Sequence, residues 1–310
     1  MTMTRKEFLK LSAAAGAAAL VSPLISPAAL AQTAKPVLRR PIPSSGETIP
    51  VIGSGTAVIY ELETSDPKFP VLVESVRTLI ANGGTIVDTS PTYGPAERNL
   101  GELLRRTGLR KQIFLATKIS ISGEQAGIRQ LEGSFRDLGT DRFDLLQVHN
   151  IRDTAVHLKT IRRLKDEGKV RYVGITTSFD NQYGEFEKIM RSEKLDFIQI
   201  DYALDNRNAE ERILPAARDL GVAVMVNLPF GRGRLFSRAK GRPLPAFAAD
   251  IDCTSWAQFF LKFLLANPAV TVVIPGTDRP EFAVDNLNAA RGRIPDAKMR
   301  ETMIKYWDAL

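Results

Sequence analysis

The chain has 310 residues, 42 Lys and Arg against 35 Asp and Glu for a net charge of +7, with 44% hydrophobic and 25% charged residues. A single cysteine, Cys253, excludes an internal disulfide framework, and His149 and His157 are too few companions for a Cys/His zinc site. The apolar content is too high for a disordered chain, and the charge surplus is too mild and scattered to argue for nucleic acid.

The first element reads as an address. Residues 1–31 begin with Arg5, Lys6 and Lys10, run through an Ala-rich apolar stretch from Leu11 to Val21, and close on Ala29-Leu30-Ala31 before Gln32. A basic start, an apolar stretch too short to span a bilayer and a small-x-small end are the marks of a secretory signal. Cleavage after Ala31 leaves residues 32–310 with a net charge of about +5. The stretch Thr4-Arg5-Lys6-Glu7-Phe8-Leu9-Lys10 resembles a twin-arginine signal, with Lys6 in place of the second arginine. The expectation is a periplasmic protein that folds before leaving through the twin-arginine export machinery, with no membrane span in its mature part.

Along the mature chain, β-branched runs alternate with helical patterns. A first strand is expected near 51–53. Leu72, Val76, Leu79 and Ile80 then keep one helical face, stopped by Gly83-Gly84. Strands follow at 85–87 and 113–116, and Ile128, Leu131, Phe135 and Leu138 line a helix ended by Gly139. Further strands are expected at 143–148, 170–175, 197–200 and 223–226. The aromatic stripe Trp256, Phe259, Phe260 and Phe263 with Leu264 marks a helix ending before Pro268, followed by a strand at 270–274. A last helix places Met299, Met303, Ile304 and Trp307 on one face.

The strand runs are largely apolar rather than alternating, as parallel strands covered on both faces are. Eight of them among helices fit either a (β/α)8 barrel or a doubly wound sheet. The open sheet usually announces a dinucleotide with G-x-G-x-x-G, but Gly53-Ser54-Gly55 is followed by Thr56-Ala57-Val58 and lacks the third glycine. The expected fold is therefore α/β, a single (β/α)8 TIM barrel over 32–310 with an N-terminal hairpin lid and a C-terminal helix.

Barrel chemistry sits where strands end and loops begin, at the C-terminal face. There the sequence sets Asp88 after the second run, Tyr93 in the loop behind it, Lys118 after the third run and His149 after the fourth. Singly, each has a plain explanation as a helix cap, a loop aromatic, a solvated cation or a satisfied imidazole. Together on one rim they make a proton-transfer set. A lysine ammonium beside a phenol favours the phenolate and lowers its pKa from about 10. Asp88 would keep Lys118 charged, and a neutral His149 would orient a carbonyl oxygen. A phenol that protonates a carbonyl needs hydride at the carbon, hence a nicotinamide cofactor, and a small-molecule aldehyde or ketone as substrate. A non-redox barrel using Lys118 as a Schiff-base amine is the alternative from the same residues, disfavoured by Asp88.

These residues carry a resemblance to the aldo-keto reductases. Val87-Asp88-Thr89-Ser90-Pro91-Thr92-Tyr93-Gly94 with Glu97 and Leu100-Gly101 resembles the family signature, and Ala116-Thr117-Lys118 its lysine strand. Asp144-Leu145-Leu146-Gln147-Val148-His149-Asn150, Gly168-Lys169-Val170-Arg171-Tyr172-Val173-Gly174, Pro229-Phe230-Gly231-Arg232-Gly233 and Ile274-Pro275-Gly276 match in the same order. The resemblance implies a catalytic tetrad of Asp88, Tyr93, Lys118 and His149. It further implies NADP(H), favoured over NAD(H), lying across the barrel top, with no metal and a monomeric enzyme. Gly55, Thr56 and Asp88 would lie near the nicotinamide ribose and Gln199 at the carboxamide. The loop of Pro229, Gly231, Arg232, Gly233 and Leu235 would cover the pyrophosphate, and Gly276, Thr277, Arg279, Asp285 and Asn286 would hold the adenosine end.

Several positions depart from that pattern. Thr176-Thr177 stand where Ser-Asn usually meets the carboxamide, Asn227 where an aromatic usually stacks, and Ala57 where a tryptophan often follows Gly-Thr. A hydroxyl replaces one hydrogen bond but not an amide's paired donor and acceptor. Phe282 also stands where a second arginine often lies. These departures support a second reading, a nicotinamide-binding barrel that serves as a sensor or binding subunit. Of the remaining residues, His157 and Cys253 read as packing, and Arg234 as a pyrophosphate contact or a solvated charge.

Overall fold

The computed structural model describes residues 35–310; the expected signal and its cleavage point lie outside the described residues. A short antiparallel hairpin comes first, β1 (Arg39–Pro41) and β2 (Thr48–Pro50). There follow β3 (Ser54–Gly55), α1 (Phe69–Ala81), β4 (Ile86–Asp88), α2 (Ala96–Thr107), β5 (Phe114–Ile119) and α3 (Glu124–Leu138). Next come β6 (Phe143–Val148), α4 (Thr154–Asp166), β7 (Val170–Thr176), α5 (Tyr183–Ser192), β8 (Phe197–Asp201) and α6 (Ile213–Asp219). The chain ends with β9 (Ala223–Asn227), α7 (Arg234–Ala239), α8 (Trp256–Leu265), β10 (Val270–Val273), α9 (Pro280–Asn288) and α10 (Ala297–Asp308).

From β3 to β10 every strand pairs in parallel with its neighbour in sequence. Parallel bridges from Ile52 to Val273 and from Gly55 to Gly276 join the two ends of the sheet, so the expected (β/α)8 barrel forms. The first strand shows why its boundary was misplaced. Gly53 donates to the Val273 carbonyl at 2.9 Å and Val51 accepts from Val273 at 2.9 Å, so residues 51–53 already pair with β10. Pairing to β4 begins only at Ser54. β5 extends past the expected 116 to Ile119, because the polar residues that seemed to end it have buried partners: Thr117 donates to Glu97, and Lys118 to Asp88.

The hairpin closes the barrel at the mouth opposite the strand ends that carry the chemistry. Ile42 and Ile49 are buried with Phe114, Tyr172 and Phe197 from the first halves of β5, β7 and β8. Arg40 anchors the hairpin to the start of β10, donating to the carbonyls of Leu265, Asn267 and Val270. On the outside, α2 and α3 cross so closely that a Cβ on Gly101 would lie 2.0 Å from the Asp137 carbonyl oxygen; only glycine fits there.

The aromatic stripe of α8 is core. The Trp256 ring stacks on Phe260 at 5.5 Å, and Phe260 meets Trp307 of α10 edge-on at 5.3 Å. His157 is fully buried, its Nε2 paired with the Ile121 carbonyl, and Cys253 is buried with its thiol pushed up to about 12 by desolvation. Both have the packing roles expected of them. Among the described residues no helix is long and apolar enough to cross a membrane.

Candidate active site

Parallel pairing in register brings the ends of β4, β5 and β6 side by side, and with them the four selected side chains. Lys118 is fully buried, and its ammonium donates to Asp88 Oδ2 at 2.6 Å and to the Thr89 carbonyl at 2.7 Å. The second carboxylate oxygen of Asp88 accepts from Gln199 Nε2 at 3.0 Å. Lys118 Nζ lies 5.1 Å from the centre of the Tyr93 ring, and that ring meets His149 edge-on at 5.9 Å. Asp88, Tyr93, Lys118 and His149 thus share one site.

The electrostatics follow from burial. Desolvation works against the charge on Lys118, but Asp88 and the Tyr93 phenol outweigh it and hold the ammonium above the ordinary lysine range. For Tyr93, desolvation is the largest influence and raises the phenol; Lys118 pulls it down and Asp88 raises it again, for a net upward shift. The sequence expectation that lysine sets a lowered phenol pKa is therefore corrected. Lysine acts in that direction, but withdrawal from water is stronger, and the resting phenol keeps its proton.

Burial, with Lys118 and Arg152 nearby, pushes the His149 imidazole down to about 3, so the ring is neutral at ordinary pH. Around its Nδ1 stand three hydroxyls, Ser120 at 2.5 Å, Ser90 at 3.3 Å and Thr92 at 3.4 Å. Neutrality has a cost at low pH. An unfolded histidine takes up a proton near 6.5, whereas the folded one waits until about 3. Between those values the unfolded state binds more protons, so stability falls as pH is lowered through that window, by about 1.4 kcal/mol per pH unit. Urea unfolding from pH 6.5 to 4 should show this slope, shallower by one proton in His149→Asn; equal slopes in both proteins would refute the assignment.

The residues assigned to a cofactor by resemblance also gather at the strand ends, with different availabilities. Thr56 is tied to the site, its amide donating to the Asp88 carbonyl at 3.0 Å and its hydroxyl to Thr89 at 2.9 Å. Gly55 and Gly276 face each other across the closing bridge. Thr176 accepts from the Asn150 amide of the loop after β6 at 3.0 Å, and Thr177 donates to Gln182 Oε1 at 2.6 Å, so both hydroxyls already have partners within the protein. Asn227 Nδ2 reaches Gln199 Oε1 at 3.4 Å, while its buried Oδ1 has no partner.

After β9, Gly231, Arg232 and Gly233 take consecutive φ values of +56°, +54° and +87°, a left-handed run in which Arg232 carries the strain of a side chain. Arg232 is exposed there, Pro229 and Leu235 are buried, and Arg234 is paired with Asp205 at 2.9 Å. At the other edge the Arg279 guanidinium lies over the Phe282 ring at 4.1 Å. Thr277 accepts from Asn286 Nδ2 at 3.1 Å, and the Asp285 carboxylate is taken up by Ser255 at 2.7 Å and Gln258 at 2.6 Å. Asp285 is thus spent on α8. Among the described residues no cluster of three or more His, Cys, Asp or Glu side chains could hold a metal ion.

Sequence reasoning missed the hydroxyls around His149. Ser120 stands two residues beyond Lys118, just past the end of β5, and that spacing was the available signal.

The family model described as "Aldo/keto reductase family" matches residues 52–306. Aldo-keto reductase str7 of Strobilurus tenacellus is 27% identical over 276 residues, 77% of this chain and 80% of that protein. Aldo-keto reductase YhdN of Bacillus subtilis (strain 168) is 29% identical over 202 residues, 59% of each chain. An aldo/keto reductase from Klebsiella pneumoniae, solved in complex with NADP and acetate, superposes with a TM-score of 0.72 at 24% identity, covering 84% of this chain and 93% of that one. The thermostable aldo-keto reductase Tm1743, solved with the inhibitor epalrestat, gives a TM-score of 0.72 at 26% identity, covering 86% and 99%.

Proposed function

The chain belongs to the aldo/keto reductase family and is an oxidoreductase; from that premise we propose that it reduces small aldehydes or ketones with NADP(H), favoured over NAD(H), using Tyr93 as the general acid. One observation carries this reading: a protonated phenol set against a fully buried Lys118–Asp88 pair at 2.6 Å, with a neutral imidazole at its edge.

The cofactor's binding groups fit the residues present, because the buried Asn227 Oδ1 beside Gln199 is an acceptor in want of a donor, which an amide supplies. Gln199 and Asn227 would hold the carboxamide, Gly55 and Thr56 the ribose, the 229–235 loop the pyrophosphate, and 276–286 the adenosine end. When bound, the nicotinamide supplies hydride to the carbonyl carbon. Tyr93 gives its proton to the carbonyl oxygen. Lys118 stabilises the phenolate left behind, and Asp88 keeps Lys118 charged and in place. His149, uncharged, holds the oxygen by a hydrogen bond. With its ammonium donating to both Asp88 and Thr89, Lys118 is a poor candidate for a Schiff-base amine.

The test is absorbance of reduced nicotinamide, NADPH and then NADH, with purified protein and a panel of aldehydes and ketones. Turnover with NADPH supports the reading; no turnover with any carbonyl sinks it. The second reading, a barrel that binds the cofactor without turning it over, draws on Thr176 and Thr177, whose hydroxyls are committed within the protein. Tight cofactor binding with no carbonyl reduced would favour it.

We further propose that residues 1–31 are a twin-arginine-type signal and that the protein is a periplasmic monomer. Protein recovered from its native host should then begin at Gln32; a retained Met1 would exclude this.

A further inference from the structure

We propose that Ser120 is a positioning residue for His149, its hydroxyl donating to Nδ1 and so fixing the ring's own proton on Nε2, where a substrate oxygen can accept it. The proposal rests on the reductase reading for its purpose, though not for its geometry.

Ser120 is held at every polar atom. Its amide donates to Gln130 Oε1 at 2.7 Å, its carbonyl accepts from Arg152 Nη1 at 3.2 Å, and its hydroxyl lies 2.5 Å from His149 Nδ1. Gln130 comes from α3 and Arg152 from the loop after β6, so two separate elements set the backbone that aims this hydroxyl. A neutral imidazole carries one proton, and its place is decided by what the other nitrogen meets.

The hydroxyls around Nδ1 settle that choice. The Thr92 amide donates to Ser90 Oγ at 3.3 Å, and the hydroxyls of Ser90 and Thr92 bond each other at 3.0 Å. One of these two hydroxyls therefore spends its proton on the other, and both lie farther from Nδ1 than Ser120 does. Apart from Nδ1, the Ser120 hydroxyl has only Ser90 Oγ within reach among the described residues, at 3.5 Å. Donation to Nδ1 gives the Ser120 hydroxyl its one short acceptor. A proton on Nδ1 would instead be donated to Ser120 Oγ, leaving the Ser120 hydroxyl's own proton only the long contact to Ser90. Nε2 has no partner among the described residues, which leaves it for a ligand.

With only two histidines in the chain, imidazole 15N shifts of labelled protein read the tautomer directly. His157, whose Nε2 proton is fixed by the Ile121 carbonyl, is the internal reference for an intact fold. The wild-type protein should show His149 protonated on Nε2. In Ser120→Ala the two tautomers should mix while His157 keeps its shifts, and kcat should fall about tenfold, the worth of one hydrogen bond, with cofactor affinity unchanged. Ser120→Thr, which keeps the hydroxyl, should restore both. An Nδ1 proton in the wild type, or unaltered shifts and kcat in Ser120→Ala, would overturn the proposal. The tautomer is read without turnover, so an inactive wild-type protein would count against the reductase reading alone.

Discussion

Tyr93→Phe is expected to lower kcat/KM for every carbonyl the protein reduces by about a thousandfold, with binding of reduced cofactor unchanged. The substitution removes one oxygen and keeps the ring. The packing of that ring, edge-on to His149 at 5.9 Å and with Lys118 Nζ at 5.1 Å, should survive. What disappears is the only group among the four that carries a transferable proton at neutral pH and is not tied up in an ion pair. Lys118 is more basic than an ordinary lysine, and His149 is too weak a base to hold a second proton above pH 3. Steady-state kinetics with quenching of protein fluorescence by NADPH separates the two effects. Near wild-type turnover in Tyr93→Phe would mean that the proton comes from another donor, and the assignment of the acid would be wrong.

Lys118→Met should lower both activity and stability. Methionine fills much the same volume but leaves Asp88, 2% exposed, with Gln199 as its remaining side-chain partner. Removing one partner of a buried ion pair typically costs about 3–5 kcal/mol, because the other charge stays out of water without compensation. Denaturant unfolding should show a loss of that size, and the remaining fold should show no measurable turnover. In Lys118→Met combined with Asp88→Asn the uncompensated charge is gone, so most of the stability should return while activity stays absent. A single Lys118→Met protein as stable as wild type would mean that the pair is not buried as described.

Much of the fold was legible in the sequence because a barrel repeats one simple pattern. The run at 143–148, apolar at four of its six positions, forms β6 over the expected residues. The helix marked by Ile128, Leu131, Phe135 and Leu138 ends where Gly139 takes φ +61°. Boundaries slipped where polar residues are buried. Thr117 and Lys118 look like the end of a strand until Glu97 and Asp88, distant in sequence, are seen to satisfy them. The departures at 176 and 177 were visible as residue types, but their hydroxyls' use by Asn150 and Gln182 was not.

That Asp88, Lys118 and His149 stand at three successive strand ends, with Tyr93 in the loop after the first, was legible in the sequence alone, since strand order in a parallel barrel follows chain order and strand ends face a known mouth. The sequence also limited any histidine in this site to His149 or His157, the only two in the chain. Only the tertiary structure decided the charges. Whether a phenol, an ammonium or an imidazole is protonated depends on how much water is removed and which groups replace it. Those distances join residues 88, 118, 120 and 149, drawn together by three separate strands. Local sequence carries no record of that competition, which is why a lysine expected to lower the Tyr93 phenol is overruled by burial, and why the hydroxyl of Ser120 came into view only beside His149.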